Sequence, residues 1–283
     1  MAEYHILLAR EYGFCFGVKR AIKLAEETIR SGIKIASLGP IIHNPLEVER
    51  LKNMGLRVIG GIEELGPDES LLIRSHGIPL DLLNEIKRKN INIIDATCPL
   101  VARAQHMVEF LFSEGYKIII IGEDGHPEVK GLVSYGGGNI SVVSSPEAIP
   151  DITPNDKLGI VGQTTYPVDK FVEIVKEITG RGWEIRVFNT LCDASRKRQG
   201  AVKELADQTD VIIVIGGKNS ANTRRLVDIA ESEGVDVYHI ETWDELRSNW
   251  FLNKEKIGVT AGASTPEWVI ENVLEKIKEL CSQ

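Results

Sequence analysis

Gly13-Phe14-Cys15-Phe16-Gly17-Val18-Lys19-Arg20 sets a cysteine between a short apolar run, Tyr4-His5-Ile6-Leu7-Leu8, and the start of a helical pattern. Apolar residues at Val18, Ala21, Ile22, Ala25 and Ile29 keep to one face of that helix. The arrangement returns twice. Ile91-Asn92-Ile93-Ile94-Asp95 precedes Cys98, whose helix carries Val101, Ala104, Val108, Leu111 and Phe112, and Glu184-Ile185-Arg186-Val187-Phe188 precedes Cys192. The cysteines are 83 and 94 residues apart, and 91 residues follow the last. Three Cys-started units of one size therefore fill the chain, at residues 15–97, 98–191 and 192–283.

Each unit alternates short apolar runs with helical patterns, the signature of mostly parallel sheets covered by helices on both faces. The first unit reads as strands Lys34 to Leu38, Leu56 to Ile59 and Leu71 to Arg74, with helices Leu46 to Met54 and Leu80 to Lys89. The second repeats the order. The third has strands Val211 to Ile215, Val235 to Ile240 and Ile257 to Thr260, helices Arg224 to Glu233 and Glu267 to Leu280, and no closing strand. An orphan strand, Tyr4 to Leu8, stands before the first cysteine, so residues 1–14 are expected to complete the third sheet. The predicted fold is α/β: three similar small domains with mostly parallel sheets about a pseudo-threefold axis, with the three cysteines brought to the centre.

Composition is that of a soluble globular chain, with 43% apolar and 26% charged residues. No apolar run reaches membrane-spanning length and the start has no signal-peptide pattern, so the chain reads as cytoplasmic with no membrane partner. A net charge of −8 gives no electrostatic basis for binding nucleic acid. The three-unit ring would supply its own interfaces, which suits a monomer.

Four cysteines without a Cys-x-x-Cys pair suggest neither a disulfide framework nor a zinc ribbon. A lone cysteine is ordinarily a small buried hydrophobe, and Cys281, outside the repeat, is read so. Cys15, Cys98 and Cys192 stand at one place in three repeats. Each begins a helix, whose dipole favours the negative charge of a thiolate or a cluster. Zinc and a cubane iron–sulfur cluster both suit three thiolates. With three cysteines on four irons, one iron would lack a protein ligand and could act as a Lewis acid on a substrate oxygen.

Ligands of open parallel sheets bind beyond the carboxyl ends of the strands. Loops at those ends carry His43, His126 and Ser220 with Asn222 in one matching position, and His76, Thr164 and Ser264 in another. Singly, each is more often a capping or surface residue. Together they describe an anion pocket suited to a diphosphate. Glu128 is the one carboxylate in these loops placed to deliver a proton, and burial there would raise its pKa. Gly216-Gly217-Lys218-Asn219-Ser220 lacks the glycine spacing of a P-loop.

Gly13-Phe14-Cys15-Phe16-Gly17-Val18, Gly39-Pro40-Ile41-Ile42-His43-Asn44, Arg74-Ser75-His76-Gly77, Asp95-Ala96-Thr97-Cys98-Pro99, His126-Pro127-Glu128, Gln163-Thr164-Thr165, Asn189-Thr190-Leu191-Cys192, Lys218-Asn219-Ser220 and Ala261-Gly262-Ala263-Ser264 together resemble the 4-hydroxy-3-methylbut-2-enyl diphosphate reductase (IspH/LytB) family over the whole chain. The resemblance implies a [4Fe–4S] cluster on Cys15, Cys98 and Cys192 whose free iron binds the substrate hydroxyl. It implies reductive dehydration of the allylic alcohol to isopentenyl and dimethylallyl diphosphates, the last step of the methylerythritol phosphate route to isoprenoids. Ferredoxin or flavodoxin would be the electron donor. His43, His76, Ser220, Asn222 and Ser264 would hold the diphosphate, and His126, Thr164 and Glu128 the hydroxyl and its proton supply, with Thr165 an alternative to its neighbour. Ala221 departs from members that carry serine there, so a contact at that position could use only backbone. A zinc hydrolase and a non-catalytic iron–sulfur sensor of a phosphorylated metabolite are the competing readings.

Overall fold

The computed structural model describes residues 4–153, 155–182 and 184–282. Residues 1–3, 154, 183 and 283, which the sequence reading places inside its units, lie outside the described residues. The first sheet is made of β2 (Ile35–Leu38), β3 (Leu56–Ile59), β4 (Ser70–Ile73) and β5 (Ile93–Asp95). The second contains β6 (Lys117–Ile121), β7 (Ile140–Val143), β8 (Lys157–Gly162) and β9 (Glu184–Phe188). The third joins β10 (Val211–Ile215), β11 (Asp236–Ile240) and β12 (Lys256–Ala261) to β1 (His5–Leu8) from the other end of the chain. The helices are α1 (Phe16–Arg30), α2 (Pro45–Met54), α3 (Leu80–Arg88), α4 (Pro99–Ser113), α5 (Pro127–Ser134), α6 (Val168–Thr179), α7 (Asp193–Ala206), α8 (Ala221–Ser232) and α9 (Glu267–Cys281).

The three sheets share one topology. Their orders are β3-β2-β4-β5, β7-β6-β8-β9 and β11-β10-β12-β1, and every pairing is parallel. In the third, His5 lies opposite Lys256 and Leu8 opposite Val259. Each chain segment runs outward from the central strand pair in one direction and then in the other. The crevice where that direction reverses lies between β2 and β4, β6 and β8, or β10 and β12, and it is where ligands settle in such sheets.

Continuous apolar runs form these strands because both faces are buried. In β10, Val211, Ile213 and Ile215 pack with Val269, Ile270, Val273 and Ile277 of α9, while Ile212 and Val214 face Val202 and Leu205 of α7 and Leu226 of α8. In β6, Ile119 and Ile121 pack with Ile174 and Ile178 of α6, and Ile118 and Ile120 with Ala104, Val108 and Leu111 of α4. Full burial of one such side chain stabilises by roughly 1.5–3 kcal/mol.

By contacts, the described residues of Met1–Lys19, Ile42–Asn53 and Asp193–Gln283 form one compact unit around the third sheet; Arg20–Ile41 and Met54–Cys192 form another around the first two. Helix α2 follows β2 in the chain but packs with the third-sheet unit. Leu46 joins the core of that sheet, and the buried Glu47 carboxylate accepts Trp268 Nε1–H from α9 at 3.1 Å.

One sequence expectation shifts. Helix α8 begins at Ala221, not Arg224, because Ser220 Oγ accepts the Thr223 amide at 3.3 Å and caps the helix there. Asn222 therefore sits in its first turn. Cys281 belongs to the ordered last turn of α9 and packs against the third-sheet core, and burial raises its thiol pKa.

Candidate active site

The three repeated cysteines are held by one recurring hydrogen bond. Cys15 N–H donates to Ala263 O at 3.1 Å, Cys98 N–H to Ser75 O at 2.9 Å and Cys192 N–H to Thr164 O at 2.7 Å. Each acceptor is the second residue beyond a strand of a central pair, β12, β4 or β8. Each cysteine immediately precedes a helix, α1, α4 or α7, is half-buried, and forms no disulfide. Among the described residues no three or more His, Cys, Asp and Glu side chains gather to hold a single metal ion. The thiolates of a cubane each bind a different iron, so three thiols at equivalent helix starts fit that cluster's donor set.

In the unit of the first two sheets, Glu128 lies in the first turn of α5 with 1% of its surface exposed. His126 caps that helix, its Nδ1 accepting the Glu128 amide at 3.2 Å. From the facing loop after β8, Thr164 donates its amide to Glu128 Oε1 at 2.6 Å and its hydroxyl to Oε2 at 2.8 Å. Burial pushes the Glu128 carboxyl up to about 7, against the opposing pull of those two bonds. A group poised there holds a proton near neutrality and can also release it. Thr165 Oγ1 instead accepts from the Gln163 side chain at 3.0 Å. The His76 and His126 rings meet edge to face, their centroids 5.8 Å apart.

In the unit of the third sheet, Ser220 and Ser264 follow β10 and β12 at the switch point, beside the N-termini of α8 and α9. Ser264 Oγ donates to the His43 carbonyl at 3.3 Å. That carbonyl also lies where a side chain on Gly217 would be, which only glycine permits. Asn222 Nδ2, in the first turn of α8, is a buried donor with no partner. An unpaired donor beside a hydroxyl cap and two helix N-termini is an anion-binding arrangement. Gly217 was not read from sequence as part of this site; its place between Gly216 and Lys218 suggests only a turn.

Repeated thiols at helix starts and a buried, proton-holding acid on parallel α/β sheets are the parts a metal-assisted enzyme would use. The family model described as LytB protein matches residues 6–278. The chain belongs to the LytB family. It is 48% identical over 275 residues to the 4-hydroxy-3-methylbut-2-enyl diphosphate reductase of Campylobacter lari, covering 97% of this chain and 98% of that one. Against the enzyme of the same name from Geobacter sulfurreducens it is 46% identical over 274 residues, covering 97% of each. A solved structure of (E)-4-hydroxy-3-methyl-but-2-enyl diphosphate reductase, described as the terminal enzyme of the non-mevalonate pathway, matches with a TM-score of 0.75 and 46% identity over 99% of this chain and all of that one. The E-1-hydroxy-2-methyl-but-2-enyl-4-diphosphate reductase from Plasmodium falciparum matches with a TM-score of 0.90 and 28% identity over 96% of this chain and 87% of that one.

Proposed function

We propose that this chain is an oxidoreductase that converts (E)-4-hydroxy-3-methylbut-2-enyl diphosphate to isopentenyl and dimethylallyl diphosphates, the last step of the non-mevalonate route to isoprenoids. The observation that carries the reading is Glu128, buried, doubly bonded by Thr164 and protonated near neutrality, in a member of the LytB family. Cys15, Cys98 and Cys192 would hold a [4Fe–4S] cluster, and the repeated units 15–97, 98–191 and 192–283, the last completed by 1–14, each begin on one of them. When bound, that cluster would relay the two electrons one at a time from an external reductant and offer an iron with Lewis acidity and no protein ligand.

The chain's own residues do the rest. Reduction of an allylic C–OH to C–H consumes two electrons and two protons and releases water. Glu128 supplies a proton to the departing hydroxyl, and Thr164 fixes the carboxyl's orientation through amide and hydroxyl. His126, whose Nδ1 accepts the Glu128 amide, faces the hydroxyl beside that acid. His43, His76, Ser220, Asn222 and Ser264 bind the diphosphate through neutral donors and helix N-termini. A diphosphate held this way brings no fixed cation that would compete for the acid's proton. The reductant is a small one-electron carrier, ferredoxin or flavodoxin, and the enzyme works as a cytoplasmic monomer; no helix among the described residues is long and apolar enough to cross a membrane.

Turnover of hydroxymethylbutenyl diphosphate by anaerobically purified protein with a chemically reduced donor, with iron and sulfide counted in the same sample, tests the proposal. Consumption that scales with cluster content is expected. A brown, fully loaded protein that leaves the substrate untouched would overturn the reductase reading and favour the sensor.

A further inference from the structure

Arg198 lies in α7, six residues after Cys192, with 3% of its surface exposed. Its Nη2 donates to the Gly13 carbonyl at 2.9 Å and its Nη1 to the Ala194 carbonyl at 3.0 Å. Its Nε is buried with no partner. The nearest acid in sequence, Asp193, is taken by Arg196 at 3.0 Å. A guanidinium stays charged when buried, and withdrawing it from water costs several kcal/mol unless something negative faces it. Two neutral carbonyls compensate only in part.

The positions of those carbonyls say what the missing anion is. Gly13 stands two residues before Cys15 and Ala194 two residues after Cys192, so both carbonyls lie close in the chain to proposed cluster ligands. Two peptide units span at most about 7.6 Å, which with the hydrogen bond and the Gly13 carbonyl keeps the charge within roughly 13 Å of the Cys15 Cα. We infer that Arg198 is the fixed positive charge facing the iron–sulfur cluster, a positioning residue that favours its reduced state. This rests on the cluster reading above. Three thiolates on a cubane make an anion, and each added electron makes it more so. A unit charge at roughly 13 Å in a medium of dielectric about 20 changes the ratio of reduced to oxidised cluster by about tenfold, which is about 59 mV for one electron.

An anaerobic redox titration followed by electron paramagnetic resonance tests this on reconstituted wild type, Arg198→Gln and Arg198→Lys, with iron and sulfide counted in each. At the potential that half-reduces wild type, the reduced-to-oxidised ratio should fall about tenfold in Arg198→Gln and stay within about twofold in Arg198→Lys, which keeps the charge but not the fork. A neutral variant that titrates with wild type overturns this inference alone; a wild type that binds no cluster overturns the cluster reading and this with it. Thermal melting of the cluster-free proteins guards against a folding defect. Without the cluster the cation has nothing to face, so Arg198→Gln should melt no more than about 3 °C below wild type. A far larger loss would make Arg198 a structural cross-link and overturn the inference. Should Arg198→Gln fold but refuse the cluster while Arg198→Lys accepts it, the charge requirement stands.

Discussion

Glu128 combines two opposed influences whose balance can be moved one atom at a time. Burial raises its carboxyl to about 7, and the Thr164 bonds lower it. The acid form is lost as pH rises through that value, so kcat should fall on the alkaline side of about pH 7. Glu128→Gln should keep the cluster and substrate binding while losing most turnover, and full activity in that variant would remove Glu128 from the proton path. Thr164→Val deletes the hydroxyl donor to Oε2. A hydrogen bond to a charged group is worth about 1.5–3 kcal/mol, so the alkaline limb should move up by about 1–2 pH units; a pH–rate profile that stays in place would show that the amide alone sets the balance. The helix-start places of the three cysteines were legible from sequence because one residue type recurs there in three repeats, and the burial of Glu128 was expected from its loop beyond a strand. The burial of Arg198 and Glu47 was not. Each reads as a charge on an amphipathic helix, and the partners that reveal their burial, Gly13 and Trp268, lie 185 and 221 residues away.

Helix α2 shows how one element can carry the site's geometry. Asn44 Oδ1 accepts the Glu47 amide at 3.0 Å and caps the helix directly after His43. Glu47 then accepts Arg50 Nε at 2.9 Å and Nη2 at 2.6 Å, besides the α9 indole. Glu47→Ala would remove the acceptor of the Trp268 N–H and two of the hydrogen bonds of the Arg50 guanidinium. Arg50 is 34% exposed and can rehydrate, so the cost should be about 2 kcal/mol, below the 3–5 kcal/mol of a fully buried broken pair. Chemical denaturation measures that, and binding of inorganic pyrophosphate should weaken with it because the His43 loop loses its anchor. Strand positions were readable within a residue or two, since parallel strands covered on both faces are uninterrupted apolar runs. The start of α8 was not, because Ser220, Asn222 and Thr223 are all plausible caps and only the Ser220 bond to the Thr223 amide decides.

For the molecule as a whole, the buried acid makes stability depend on pH in an unusual direction. Glu128 binds its proton more tightly folded than unfolded, with a carboxyl near 7 against an ordinary 4.5. Below about pH 4.5 the group is protonated in both states and contributes nothing. As pH rises from there through about 7, the unfolded chain ionises first and stability declines, on the order of 3 kcal/mol once the folded group has ionised too. Denaturant melts of cluster-free wild type and Glu128→Gln should therefore diverge between pH 5 and pH 8, the variant gaining relative stability; parallel curves would mean that Glu128 is not protonated in the fold. The third sheet adds a matter of timing. Strand β1 must wait for β12, its neighbour about 250 residues downstream. At ribosomal speeds of roughly 5–20 residues per second, that partner emerges some 10–50 s later. The first two sheets can assemble from nearby segments during synthesis, whereas the third can close only after β12 has emerged. A nascent chain arrested before β12 would thus carry two finished sheets and one edge still open to any strand that happened to pass.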